Sequence, residues 1–270
     1  MLQLLHLSFM QNALISSVLI SILCPSIGIF LVLKRYSMVG DTLAHSSFAG
    51  VAIGLVFGYS PIITSFIFTT LCAIFIEILK TYYKQYSDLI LPIVLTFSVG
   101  IAITLTSSGN AQGNIESFLF GSILTVSKSD LYTILFISIV SVILLCVLYE
   151  KLVYITFDED GAKIAQINVK LINYLLSILT GAAISVSIRI IGILVVSSMI
   201  AVPVATAMQL GKGFKKTLVF SVVFGFIDVI LGLFSSYYLN CAPGGTIALA
   251  SVALLILVIV SKQLRGTKNS

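Results

Sequence analysis

Long apolar stretches, broken by short polar ones, run the length of the chain. Read on the scale of a membrane crossing, they predict helical spans at 10–33, 38–58, 61–80, 89–107, 131–149, 171–187, 190–209, 217–238 and 246–261. At about 1.5 Å per residue, each is near the length that crosses a hydrocarbon core roughly 30 Å thick. Backbone polar groups in lipid must be paired within their own segment, so these runs read as helices. Only Arg189 separates the sixth run from the seventh, so eight or nine spans are expected. The prediction is an all-α polytopic transmembrane bundle, one domain over residues 1–270.

Composition strengthens that reading. The chain is 59% hydrophobic and 9% charged, with a mean hydropathy of +1.15, whereas soluble domains run near a quarter charged. The net charge of +5 does not point to nucleic acid, because the basic residues cluster in short loops, where they set topology. Lys34-Arg35, Lys80 with Lys84, the stretch Glu150 to Lys170, Lys212 to Lys216, and Lys262 to Lys268 alternate with loops that lack Lys and Arg. They define one cytoplasmic face. The C-terminus then lies inside and, with nine spans, the N-terminus lies outside. Cys24, Cys72, Cys146 and Cys241 show neither metal spacing nor a disulfide pattern and read as small apolar fillers. The first apolar run has no basic residues before it and is too long for a cleaved leader, so it is expected to remain a span. His6, ahead of that run, is given no role.

Ionisable residues inside a span cost roughly 2.5–3.5 kcal/mol on the insertion scale, so each needs a reason. In SMVGDTLAHSSFAGVAIG, counting from Lys34-Arg35, Asp41 lies about 9 Å and His45 about 15 Å into the membrane. At i and i+4 the two share one helix face. Thr42, Ser46 and Ser47 add hydroxyls, and Gly40, Ala44, Ala49 and Gly50 allow close helix approach. A carboxylate and an imidazole one turn apart can bind a divalent transition metal jointly, and two copies across a dimer would supply four ligands. The alternative is a buried Asp–His hydrogen bond that locks two helices. Asp228 is also near mid-span; it either pairs with another helix, with Arg189 as one candidate, or faces a pathway. Glu77 and Lys80 have the spacing of an interfacial ion pair. Pro203 removes a helix hydrogen bond and is expected to kink its span.

Two polar segments stand out between spans. Residues 150–170 place Asp158, Glu159 and Asp160 at a helix start, ahead of Ala162-Lys163-Ile164-Ala165. A short surface helix there suits docking of a soluble partner; an ordinary solvated loop is the alternative. Residues 108–130, with Gly109, Gly113 and Gly121, read as an outer loop with a partial helix. No P-loop, HExxH or GxSxG occurs, so ATP binding by a P-loop and the commonest hydrolase chemistries are not supported.

VLKRYSMVGDTLAHSSFAGVAIG resembles the second-helix signature of the permeases of bacterial ABC transporters for zinc, manganese and iron. FLFGSILTVSKSDL, IGILVVSSMIAVPVATA and YYLNCAPGGTIAL resemble further motifs of that family in the same order, and together they cover most of the chain. The resemblance implies a bundle like the type II ABC importer permeases in a bacterial plasma membrane, and a transport subunit that is not itself an enzyme. It implies a second permease subunit (a homodimer), cytoplasmic ATP-binding subunits and an extracytoplasmic metal-binding protein as partners. It implies no bound cofactor, with zinc as the transported ion and manganese or iron as alternatives, since GDTLAH is closer to zinc-type members. Asp41 and His45 fall on the family's Asp and His positions and take a metal role. The segment at about 156–170 falls on the ATPase-coupling helix, with Asp158, Gly161, Ala162, Ala165 and Gln166 as contact residues; Gln166 stands where a glycine is expected. Asp228 remains a pathway or helix-pair residue. Alternating access driven by the ATPases is the expected mechanism. Its rivals are a siderophore or cobalamin permease, an ion-coupled secondary transporter and an intramembrane aspartyl protease.

Overall fold

The computed structural model describes residues 8–83, 87–108, 115–122 and 127–266. His6, Lys84, Gly109, Gly113 and Lys268 lie outside them. The described residues form helices α1 (Ser8–Leu33), α2 (Ser37–Phe57), α3 (Pro61–Tyr82), α4 (Ser87–Ser107), α5 (Glu116–Leu119) and α6 (Lys128–Phe157). These continue as α7 (Glu159–Ile164), α8 (Val169–Ile191), α9 (Ile193–Met208), α10 (Phe214–Leu239) and α11 (Pro243–Gly266). Eight of them are long and apolar enough to cross a membrane. The most hydrophobic windows of α1, α2 and α8 are 72% buried, against 22% for α4 and α11. The first three therefore form the centre and the last two the rim.

One end of the bundle collects Lys34, Arg35, Lys80, Lys151, Lys163, Lys170 and the lysines of 212–216. Among the described residues, the other end holds only Lys128 and Arg189. The predicted cytoplasmic face follows from that asymmetry. The helix α9 is shorter than those eight spans. Its 16 residues rise about 24 Å. It begins at the outer end, where Gly192 packs on Gly121 and Leu119. It leads to Phe214, whose ring lies 5.7 Å from Phe30, 6.1 Å from Tyr149 and 5.7 Å from Phe157, at the inner ends of α1 and α6. The chain therefore changes sides along α9, and the start of α1 and the end of α11 fall on opposite faces. α9 runs through Pro203 without interruption.

The largest departure from the predicted boundaries is in α6. α6 does not stop near residue 149; it runs 30 residues to Phe157, about 45 Å. Glu150-Lys151 interrupts the hydropathy, but Leu148, Leu152 and Ile155 keep the helical spacing and are buried. Periodicity carries the helix beyond the lipid where composition changes.

The outer end is closed by a knot of three glycines, Gly121 and Gly192 in turns and Gly244 at the start of α11. A side chain at Gly121 would meet the Ile190 carbonyl, one at Gly192 the Gly121 amide, and one at Gly244 the Ile191 carbonyl. Ser122 N–H donates to the Arg189 carbonyl at 3.1 Å and Gly244 N–H to the Phe120 carbonyl at 3.2 Å. Beside the knot, Arg189 pairs with Asp130 at 2.9 Å and lies 4.5 Å from the centroid of the Phe118 ring. Asp130 also closes a capping box with Ser127 at the start of α6. Arg189 is thus the partner of Asp130, and not of Asp228.

Gly192 has φ 82° and ψ 157°, a conformation that side chains resist at a cost of order 1–3 kcal/mol. Gly192→Ala is expected to lower the thermal unfolding midpoint of the detergent-purified protein. An unchanged midpoint would show that the knot does not hold the outer end together.

Candidate metal path and coupling helix

α2 is enclosed on most of its surface. Small residues bring its neighbours in: Gly50 and Gly54 lie against Ser65, Thr64 and Pro61 at the start of α3, and Gly40 faces Ile200 of α9. Serines then tie the helices together. Ser46 and Ser98 of α4 share a hydrogen bond of 2.9 Å, Ser47 and Ser65 of α3 one of 2.8 Å, and Ser65 donates to Ser185 of α8 at 3.2 Å. Interhelical hydrogen bonds of this kind average about 0.6 kcal/mol each in membranes, so they fix register more than they add stability. Ser46 and Ser47, which the sequence offers only as nearby hydroxyls, are thus ties between helices.

What remains uncovered is one narrow strip. Met38 is 58% exposed, and Asp41, His45 and Phe48 follow it at helical spacing, all partly exposed. Between them Thr42, Leu43, Ala44, Ser46 and Ser47 are buried. Asp41 and His45 therefore look outward from a helix that is otherwise inside the bundle. Among the described residues, neither side chain makes a hydrogen bond or an ion pair, so the locking Asp–His bond is not formed. Nor do three or more His, Cys, Asp or Glu residues gather into a metal cage among the described residues. One copy of the chain offers a pair of ligands and no more.

The cytoplasmic segment is built as its acids predict. Asp158 caps α7, its Oδ1 accepting from the Gly161 N–H at 2.8 Å, and Glu159 and Asp160 both pair with Lys163, at 3.1 and 3.0 Å. Acids at the start and a lysine at the end suit the helix dipole. Ala162 is fully buried, so it packs α7 onto the bundle instead of presenting a contact. Ile164, not singled out in the sequence, is 84% exposed, beside exposed Ala165 and Gln166. Gln166 has φ 58°, the left-handed region that glycine occupies at least cost.

Asp228 is 1% exposed in the middle of α10, and its Oδ1 has no hydrogen-bond partner. It does not join Asp41 and His45 in any described cluster.

A protein-family model, the ABC 3 transport family, matches residues 6–262. The chain belongs to the ABC 3 transport family. Within that family it is 51% identical over 259 residues to a Treponema pallidum protein named "Probable metal transport system membrane protein", covering 96% of this chain and 97% of the relative. It is 29% identical to the Listeria monocytogenes manganese transport system membrane protein MntC, covering 97% of this chain and 94% of the relative. A Haemophilus influenzae protein named for iron transport is 27% identical, over 97% of this chain. A solved structure titled PsaBC from Streptococcus pneumoniae in complex with Fab superposes with a TM-score of 0.85 at 28% identity, covering 94% of this chain and 92% of that one. This ABC 3 family member is a multi-pass protein of a bacterial plasma membrane. The glycine knot explains why the three later motifs read together: FLFGSIL, IGILVV and NCAPGG supply Gly121, Gly192 and Gly244.

A buried carboxyl without a partner opposes folding. Asp228→Asn is therefore expected to leave assembly intact and the unfolding midpoint unchanged or higher. A fall of several degrees would mean that the carboxylate has a partner in the working assembly.

Proposed function

We propose that this chain is the membrane-spanning subunit of an importer for a divalent first-row transition metal. In this reading a second copy completes the path, and separate subunits hydrolyse ATP. The observation that carries it is the bare strip Met38–Asp41–His45–Phe48 on an otherwise enclosed helix. A carboxylate cannot face lipid without a cost of roughly 2.5–3.5 kcal/mol, so the strip belongs against a water-filled path or another protein surface.

A two-fold copy would bring two Asp and two His to one path. That is four oxygen and nitrogen donors, suited to manganese, iron or zinc, and two carboxylates offset the charge of a divalent cation. A path site has to release its ion, so a sparse set made only at the interface suits transport better than a closed cage. The chain lacks a P-loop, which supports ATP hydrolysis by a separate partner. That partner would dock at Asp158–Gln166, chiefly through Ile164, Ala165 and Gln166. A soluble metal-binding protein would deliver the ion at the outer face, and ATP binding would rock the two copies between inward- and outward-open states. The names of the manganese and iron relatives favour those metals as the first substrates to test. The likeness of GDTLAH to zinc-type members supports zinc as the second reading.

Uptake of manganese, iron and zinc into vesicles, with the partner ATPase and binding protein, tests the proposal. Asp41→Asn and His45→Ala are each expected to reduce uptake by at least about tenfold, the loss of one ligand's worth of stabilisation, while assembly with the ATPase persists. Full uptake in both variants would make the pair a packing feature.

A further inference from the structure

The turn that launches α2 is short: Lys34, Arg35 and Tyr36 join Leu33 to Ser37. Its amides donate to the carbonyls of Phe30, Val32 and Leu31 at 2.8–3.0 Å, and Arg35 takes φ 60°. The turn is therefore pinned to the end of α1, and Asp41 follows it within the first two turns of α2.

Its side chains reach two other helices. Lys34 Nζ donates to Asn173 Oδ1 of α8 at 2.6 Å. The Lys80 ammonium of α3 lies 4.0 Å from the centroid of the Tyr36 ring, a distance at which the ring face attracts it. Lys80 also pairs with Glu77 at 3.3 Å, the two side chains being 14% and 12% exposed. The same Glu77 oxygen accepts from Ser177 of α8 at 3.1 Å. One largely buried polar cluster thus joins the α1–α2 turn, the end of α3 and the first turns of α8.

α7 borders that cluster. Glu159 and Lys163 line a cleft of about 300 Å³ together with Tyr36, Glu77, Lys80 and Asn173. Burial holds the Lys34 ammonium below the usual lysine range, and the charges of Glu159 and Glu77 act in the opposite direction. The link from α7 to α8 is tight. Ile167 N–H donates to the Ala162 carbonyl at 3.0 Å and Gln166 N–H to the Lys163 carbonyl at 3.1 Å, and the Asn168 side chain caps α8 at 3.1 Å. A shift of α7 must carry the start of α8 with it. Directional contacts such as Lys34–Asn173 transmit a shift better than apolar packing, because they weaken steeply once distance and angle are lost.

We propose that Lys34 and Tyr36, gripped by Asn173 and Lys80, are positioning residues that pass movement of α7 to α2 and so to Asp41. The inference rests on the transport reading above and adds the route by which ATP hydrolysis reaches the path.

The test measures manganese uptake and ATP hydrolysis together, in vesicles holding the complete transporter. Wild type comes first: no uptake of manganese, iron or zinc would overturn the transport reading and this inference with it. With wild type active, Lys34→Met is expected to assemble and hydrolyse ATP normally, while uptake per ATP falls about tenfold, within the range such contacts carry. Lys34→Arg is expected to keep the ratio, and Asn173→Leu to lower it as Lys34→Met does. The double variant is expected to be no worse than either single one, because the two residues act as a unit. A wild-type ratio in Lys34→Met overturns the inference. So does a parallel fall of hydrolysis and uptake, which a purely structural role would give. If Lys34→Met does not assemble, Asn173→Leu and Tyr36→Leu decide between the same outcomes.

Discussion

Hydrocarbon offers no hydrogen-bond partner to a polar group, and that constraint arranges this protein from end to end. The backbone answers it with helices. Side-chain hydroxyls answer it locally, as Ser17 does by donating to the Ala13 carbonyl and Ser187 by donating to the Ala183 carbonyl. Others answer it across helices, in the Ser46–Ser98 and Ser47–Ser65 bonds that seat α2. Charges are answered at the two ends: Arg189 with Asp130 outside, Lys80 with Glu77 inside. Against that background, the groups left without a partner carry the most information. Asp41 and His45 face outward from a central helix, and Asp228 is sealed in α10.

The two kinds of exception differ physically. Asp228 is enclosed, so no ion can reach it without the bundle opening. The Asp41–His45 strip is open along its length and needs only a facing surface to become a path. The proposed second copy supplies that surface with the same chemistry. At the inner end, α2 is anchored by a polar cluster that α7 borders; at the outer end, the glycine knot ties α5, α8, α9 and α11 together. A helix held at its inner turn and flanked by serine contacts can shift as a rigid rod, which suits a gate.

Much of this was legible in the sequence. The apolar runs located the spans to within a few residues, because hydropathy reports lipid directly. Asp41 and His45 stood out because charge in a span is costly. The end of α6 was missed because its last two turns are held by Leu152 and Ile155 against protein, a contact that hydropathy averages away. The partner of Arg189 could not be read, since Asp130 lies 59 residues away in sequence and the choice between Asp130 and Asp228 depends on the depth of each residue. The capping spacing of Ser127 and Asp130 was a local signal that could have placed Asp130 at the outer edge. Lys34–Asn173, 139 residues apart, left no trace in periodicity or composition. The family resemblance expects a glycine where Gln166 stands, and the positive φ of Gln166 is the physical reason.

In the proposed transporter the strip on α2 faces a second copy. Pairs of spin labels test it directly when placed at residue 48, on the strip, or at residue 97, on the outer face of α4, in the assembled transporter. The distance between labels at 48 is expected to be much the shorter and to change when ATP binds. A shorter distance at 97, or a distance at 48 indifferent to ATP, would contradict it.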